Sequence, residues 1–403
     1  MCILPLLGWP FNILKCHAHF PAERRYGIIH TMGGDLKMTT RRRFAFGAAA
    51  VCAAAGGMAS GGCVFMRSPR FGRLPEGDRL KRILAAPNYI SGAFRNERSA
   101  YILPARPDDG RGGVWSALFR KKALRLIPGP GEVPVVKTDL KGLAPDQDLF
   151  VWFGHSSCLL QTNGVRVLVD PVFHTASPVS FLLGEPFPGT DIYKPEDMPD
   201  VDVLLITHDH WDHLDYRTVT ALADRIGRVV CPLGVGEHFE RWGFVPERLV
   251  EMYWHESAEV DCRGVRLVFR CLPSRHFSGR TFTRNQSLWA SFLVESPSRK
   301  VYFAGDGGYD ERFRRIGARF PGIDLAVLEN GQYNVQWPMV HTMPDELGMA
   351  MHDLGARRYV TVHHGKFCIS THPWDEPFEN ERKAAAAAGV SLLAPKIGEV
   401  SFL

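Results

Sequence analysis

Hydrophobic positions along the chain fall into two regimes. Before residue 148 they are scattered, whereas from Leu149 onward they recur in short runs at strand or helix spacing. Residues 149–153 (LFVWF), 157–161 (SCLLQ) and 165–169 (VRVLV) predict three strands. Asn163-Gly164 joins the last two and is the strongest short-range hairpin signal. Asp170-Pro171 closes the third run. Residues 201–206 (VDVLLI) are almost continuously apolar, as in a strand buried on both faces. Within 216–226, Val219, Leu222 and Ile226 repeat at helical spacing. A strand is then expected at 229–231 and a helix at 235–242. Further strands are expected at 258–261, 265–271, 288–294, 300–304, 324–328 and 358–362, with a helix near 344–354. Strand-rich halves with interspersed helices predict packed sheets covered by helices.

The front of the chain reads as an address. Residues 44–64 (FAFGAAAVCAAAGGMASGGCV) are uncharged and follow Arg41-Arg42-Arg43. The run is long enough to span a membrane but is Ala/Gly-rich and only weakly apolar, which suits an export signal better. Thr40-Arg41-Arg42-Arg43-Phe44 resembles a twin-arginine signal, and Ser60-Gly61-Gly62-Cys63 resembles a lipoprotein cleavage site with Ser where Leu is usual. The expected location is therefore exported, either periplasmic or anchored to a membrane through Cys63. Met38 reads as the true first residue, because a signal placed behind a long leader would work poorly. Three segments follow: residues 1–63 as extension and signal, 64–147 as an irregular arm rich in Pro, Gly and Arg, and 148–403 as the domain that carries the regular pattern.

Composition narrows the field. With 45% hydrophobic and 23% charged residues among 403, the chain is ordinary for a globular protein. Its net charge of +5 is mild, and the Lys and Arg are scattered apart from Arg41–Arg43, so no nucleic-acid partner is expected. Outside the first 63 residues the cysteines are Cys158, Cys231, Cys262, Cys271 and Cys368. Five is an odd number and no CxxC occurs, so buried thiols are expected and not a disulfide framework.

The sharpest chemical signal is Thr207-His208-Asp209-His210-Trp211-Asp212-His213, directly after the apolar run 201–206. Loops at the carboxyl ends of strands are where a rigid scaffold presents functional groups. Clustered imidazole and carboxylate groups suit zinc and related divalent ions. A chance surface cluster is the competing reading, but the position after a buried strand and the distant partners weigh against it. Those partners repeat one rule, a strand followed by His or Asp and then small residues: His276 after 265–271, Asp306 after 300–304, and His363 after 358–362.

This set resembles the metallo-β-lactamase-fold hydrolases through H-x-H-x-D-H with downstream His, Asp and His, over roughly residues 149–403. The resemblance implies an αββα sandwich, two mixed β-sheets flanked by helices, with two zinc ions at one edge of the sheets. It implies one ion on His208, His210 and His276, a second on Asp212, His213 and His363, and Asp306 bridging them. Within that superfamily the chain is most similar to the N-acylphosphatidylethanolamine phospholipase D branch and its bacterial relatives. The residues that carry this are Trp152–Ser157 (WFGHSS), Val169-Asp170-Pro171-Val172-Phe173, Leu214-Asp215-Tyr216, Phe303–Asp306 with Tyr309, and His363-His364-Gly365. His341 before Pro344-Asp345-Glu346 resembles a further active-site His of that branch. Gly307 where Thr is common, the segment Glu329–Tyr333, and His364 where Trp is usual are departures, all outside the seven ligand positions.

The chemistry follows from the ions. A metal pair clamps the attacking and leaving oxygens of an in-line displacement, and a bridging hydroxide, oriented in part by Asp212, is the expected nucleophile. No Ser, Cys or Lys nucleophile is required, and no G-x-S-x-G motif is present. His341 is expected to polarise or protonate the leaving group, set against a role as a buried His holding a loop. His155 is expected either beside the ligands or in a gating role, and not as a ligand, and Asp170 either to orient a ligand His or to hold a turn. His364 is left without a role. Trp211 is either a wall for a lipid tail or a packing residue. The first functional reading is a zinc phosphodiesterase on a phospholipid, with possible association to a membrane surface. The second keeps the site but cleaves an ester, lactone or cyclic amide of a small metabolite. The third is a metal-binding lipoprotein without activity, against which the complete ligand set argues.

Overall fold

The protein is described from a computed structural model, covering residues 67–100, 125–179, 184–281 and 283–403. The start at Met38, the signal at 41–63 and the anchor candidate Cys63 lie outside the described residues. The segment expected to be an irregular arm holds regular structure: helix α1 (Gly77–Leu84), then a small hairpin of β1 (Tyr89–Ile90) and β2 (Ala93–Phe94).

The first large sheet contains β3 (Leu149–Trp152), β4 (Cys158–Thr162), β5 (Val165–Val169), β6 (Val201–Leu205), β7 (Ile226–Pro232) and β8 (Leu249–Met252). Helix α2 (Tyr216–Ala221) follows β6, and α3 (Gly236–Arg241) follows β7. The second sheet contains β9 (Ser257–Cys262), β10 (Val265–Leu272), β11 (Ser291–Glu295), β12 (Lys300–Phe303), β13 (Leu325–Glu329), β14 (Arg358–Val362) and β15 (Ser391–Leu392). Helices α4 (Arg312–Arg319), α5 (Leu347–Leu354) and α6 (Glu376–Ala388) interrupt it. The last strand, β16 (Val400–Phe402), returns to the first sheet beside β3. Strand order is β16-β3-β4-β5-β6-β7-β8 in one sheet and β15-β14-β13-β12-β11-β10-β9 in the other.

Each sheet changes character half-way. Pairings up to β5 in the first sheet and up to β12 in the second are antiparallel; the pairings beyond are parallel. The strands β3, β5, β6, β10, β12, β13 and β14 all deliver their carboxyl ends to the same end of the sandwich, as the loops described below show. The Asn163-Gly164 turn behaves as expected. Both residues have positive φ (50° and 77°), matching a two-residue turn to the strand twist, and Thr162 pairs with Val165.

Three apolar layers hold the sandwich. Period-two alternation splits a strand between them: Phe150 and Trp152 face the space between the sheets, while Leu149 and Val151 face the outer layer. Phe269, Phe292, Val301, Val327 and Val360 come from the second sheet to meet Leu160, Val167 and Val203 of the first. Val219, Leu222 and Phe239 cover the outside of the first sheet, and Phe313, Ile316, Leu347 and Met351 that of the second. The result is the expected αββα arrangement. The five thiols outside the front are free, four of them buried.

Three boundaries differ from the sequence pattern. The run 288–294 becomes strand only at Ser291, because Leu288 N and Ala290 N bond instead to Leu233 O and Thr207 O of the opposite sheet's loops. The expected helix 216–226 stops at Ala221 and tightens into a 3₁₀ turn before β7. Helix α6 was not singled out, since its Ala-rich stretch has no apolar stripe, although alanine is the best helix former.

Phe292 lies fully buried between the sheets. Phe292→Ala is expected to cost about 3–5 kcal/mol by leaving a cavity, measured as a loss of unfolding free energy in urea. A loss below about 1 kcal/mol would contradict close packing there.

Candidate metal centre

The loop after β6 is built from its first residue. Thr207 N and Oγ1 donate to the two oxygens of Asp170 at 2.8 and 2.6 Å. Asp170 stands after β5 with φ of 43°, so the two strand ends are tied together. Asp170 Oδ2 also accepts from His213 Nδ1 at 2.8 Å. That bond fixes the orientation of the His213 ring and aims Nε2 at the centre. Asp215 ends the loop by capping α2, accepting from Arg217 N and Thr218 N.

His208, His210 and His276 converge. His208 Nε2 lies 3.0 Å from His210 Nδ1, and His276 Nε2 lies 3.1 Å from the same nitrogen. His276 donates its other nitrogen to Val340 O at 2.8 Å, which aims Nε2 inward. Nitrogens bound about 2.0–2.1 Å from one tetrahedral ion stand roughly 3.3 Å apart, so this spacing is that of a shared cation. A second group gathers Asp212, His213 and His363 with His155; one donor atom from each lies within 4.8 Å of the others. Asp306, after β12, lies between the groups. Its Oδ2 is 3.2 Å from His213 Nε2, 3.6 Å from His276 Nε2 and 3.9 Å from His208 Nε2, and its Oδ1 is 3.3 Å from His363 Nδ1. All seven residues expected as ligands are thus brought together.

The donor set fits a metal on electrostatic grounds. All seven residues are buried, none more than 6% exposed. Burial lowers His208 to about 3 and holds His210, His276 and His363 well below the usual imidazole range, so their nitrogens carry lone pairs at neutral pH. Burial raises the Asp212 and Asp306 carboxyls, but neighbouring imidazoles, His213 first, outweigh it and hold both ionised. Burial also lowers His213, yet Asp306, Asp170 and Asp212 overcome it and raise it well above normal. Negative charge therefore exceeds positive at this point. His213 Nε2 and Asp306 Oδ1 are buried without a hydrogen bond of acceptable geometry, as donors aimed at an ion are.

Comparison with known proteins places this geometry. A Beta-lactamase superfamily domain model matches residues 165–364. An uncharacterized protein of Mycobacterium tuberculosis (strain H37Rv) is 38% identical over 320 residues, covering 78% of this chain and 84% of its own length. An N-acyl-phosphatidylethanolamine-hydrolyzing phospholipase D of Caenorhabditis elegans is 31% identical over 300 residues, covering 69% of this chain and 82% of its own. The chain belongs to the metallo-β-lactamase superfamily. Among solved structures, Igni18, a metallo hydrolase of Ignicoccus hospitalis, shares the fold at a TM-score of 0.50 and 19% identity, over 64% of this chain and 99% of its own.

As a metallo-hydrolase of this superfamily, the protein surrounds the centre with further groups. His155, after β3 with φ of 52°, bonds Asp212 Oδ2 through Nε2 at 3.0 Å. It stands next to the group as the sequence reading proposed, and offers it one more nitrogen. His341 bonds Glu329 Oε2 through Nδ1 at 2.9 Å, and its ring lies 5.1 Å from that of His276 and 5.3 Å from that of His363. Glu329, the last residue of β13, was missed as a site residue, although a carboxylate at a strand's carboxyl end carries the same signal as Asp306. Asp209 points out of the centre and accepts from Gly279 N, Ser287 Oγ and His238 Nε2 at 2.7, 2.7 and 3.1 Å. Trp211 is 4% exposed, under the Arg280 guanidinium and edge-on to Phe71, so it is a packing residue and not a wall for a lipid tail. His364 turns away to Thr361 Oγ1 and the Trp152 ring.

Lys366 locks the His363 loop from beneath. Its buried ammonium donates to Val172 O at 2.9 Å and Phe153 O at 3.4 Å, and burial lowers it to about 7.

His208→Ala is expected to cut bound metal per chain, read by elemental analysis, while His341→Ala keeps it; metal loss in both would make His341 a ligand. For Lys366, the folded state holds fewer protons than the unfolded state between pH 7 and 10.5, so its burial penalty fades as pH rises through that window. The stability of wild type relative to Lys366→Met is therefore expected to increase from pH 7 to pH 10 in urea titrations. A constant difference would refute the buried charge.

Proposed function

We propose that this protein is a binuclear zinc phosphodiesterase of the N-acylphosphatidylethanolamine phospholipase D type, cleaving a phospholipid head group. The observation that carries the reading is Asp306, whose carboxylate stands within 3.2–3.9 Å of nitrogens from both imidazole groups. The similarity to a worm enzyme named for that hydrolysis supports the substrate class. His208, His210 and His276 would hold one ion, Asp212, His213 and His363 the other, and Asp306 both. Two such ions, when bound, lower the pKa of a water toward 7 and bind the phosphate oxygens.

The chain's own residues do the rest. Asp212, held by His155, orients the attacking water by accepting its hydrogen bond. His341 is braced at Nδ1 by Glu329, and its ring stands beside those of His276 and His363, where it would pass a proton to the departing alkoxide. Glu329 itself is raised by burial against the opposing pull of His341, and it keeps that ring from rotating. Asp170 keeps the His213 ring oriented with Nε2 toward the centre. With residues 41–63 read as an export signal, the enzyme acts at an envelope membrane surface.

Bis-p-nitrophenyl phosphate and N-acylphosphatidylethanolamine are expected to be hydrolysed by the zinc-loaded protein, and p-nitrophenyl acetate and lactones not. His341→Ala should lower kcat by about 10²–10⁴ at unchanged zinc content. Turnover of lactones or esters in place of the diesters would overturn the substrate class.

A further inference from the structure

We propose that the cavity behind the His363 loop is a second small-molecule site, shaped for a zwitterion that carries its amine inward and its anionic group outward. The cavity measures about 480 Å³, within the usual range for ligand pockets of roughly 300–1,000 Å³. It is lined from β3, β14 and α6. His363 faces the metal centre, whereas the next residue, His364, faces this cavity. The site therefore stands whichever bond the centre cleaves.

The floor is Trp152, Thr361, His364 and Glu381, none more than 3% exposed. Its hydrogen bonding dictates what can enter. When Glu381 is ionised it only accepts, and Thr361 Oγ1 then gives its single proton to Glu381 Oε2. Thr361 Oγ1 must then accept from His364 Nε2, 3.1 Å away. His364 Nδ1 is left as an acceptor, buried and without a hydrogen-bond partner. The floor thus offers a carboxylate, and no basic side chain among the described residues lies within 4 Å of Glu381, Arg382 acting on it only from farther away. An unpaired buried carboxyl is costly, and burial raises this one to about 7. A primary ammonium answers the carboxylate, and the rings of Trp152, Trp374 and Phe378 line the wall beside it.

The rim has the opposite bias. Of its three acids, Asp375 is engaged by Arg125 at 2.6 Å and Glu379 by Lys383 at 2.7 Å, while Glu132 accepts only from Gly129 N among the described residues, so one free acid faces two free cations. Arg382 and Lys396 are exposed, and neither side chain forms an ion pair among the described residues. A carboxylate or phosphate at the mouth would meet these two cations.

The test titrates the metal-loaded protein by calorimetry with L-phenylalanine, phenethylamine and 3-phenylpropionate. L-Phenylalanine is expected to bind saturably and at least tenfold tighter than either single-charge fragment. Glu381→Gln should weaken it tenfold or more. Because Glu381 is buried, the surface pair Arg382→Ala/Lys396→Ala supplies a test that leaves the core alone; it too should weaken binding tenfold, with hydrolysis unchanged. Absence of saturable L-phenylalanine binding, or less than a twofold effect from the surface pair, overturns the proposal.

Discussion

At the centre of this protein, carboxylates leave water in the company of imidazoles instead of guanidinium or ammonium groups. Asp170 meets His213, Asp212 meets His155, and Glu329 meets His341. Asp306 meets four rings at once. A buried carboxylate is tolerable only when paired and hydrogen-bonded. An imidazole can satisfy one with one nitrogen and still present a lone pair with the other. That double use is why the strand ends must converge. The first two pairs and the Asp306 set join residues that follow different strands, so losing one strand end would orphan a charge on another.

The same constraint explains how much was legible beforehand. The run 201–206 followed by 207–213 exposed the loop, because a strand buried on both faces leaves an unbroken apolar signature. His276, Asp306 and His363 were legible for the same reason, each standing just past an apolar run. Family likeness then supplied what no single run contains, the assignment of distant residues to one place. The hairpin at Asn163-Gly164 was local chemistry and was read correctly.

What escaped were features whose cause lies across the fold. Glu329 is an ordinary strand residue until His341, 12 positions on in the loop that follows it, folds back to bond it. Leu288–Ala290 carry a strand-like pattern, but the opposite sheet's loops claim their amides. The early arm shows no periodic stripe, yet Arg79 of α1 reaches Glu237, Glu240 and Glu251 at 2.5–2.6 Å. Arg280 likewise donates to Arg70 O beneath the histidine loop. Such ties depend on partners more than 150 positions away, which no local window contains.

The change from antiparallel to parallel pairing within each sheet sends the reactive loops to one pole and leaves tight turns at the other. Three of these turns touch: Arg263 Nη2 donates to Gly164 O, Ser298 Oγ donates to Asn163 Oδ1, and the hydroxyls of Thr162 and Ser296 meet at 2.9 Å. The two poles are consequently under separate selection. Sequence drift, a grafted loop or a surface tether at the quiet pole can be absorbed by polar turn contacts without disturbing a single group at the working pole, so the scaffold can diversify in its surroundings while its chemistry stays fixed.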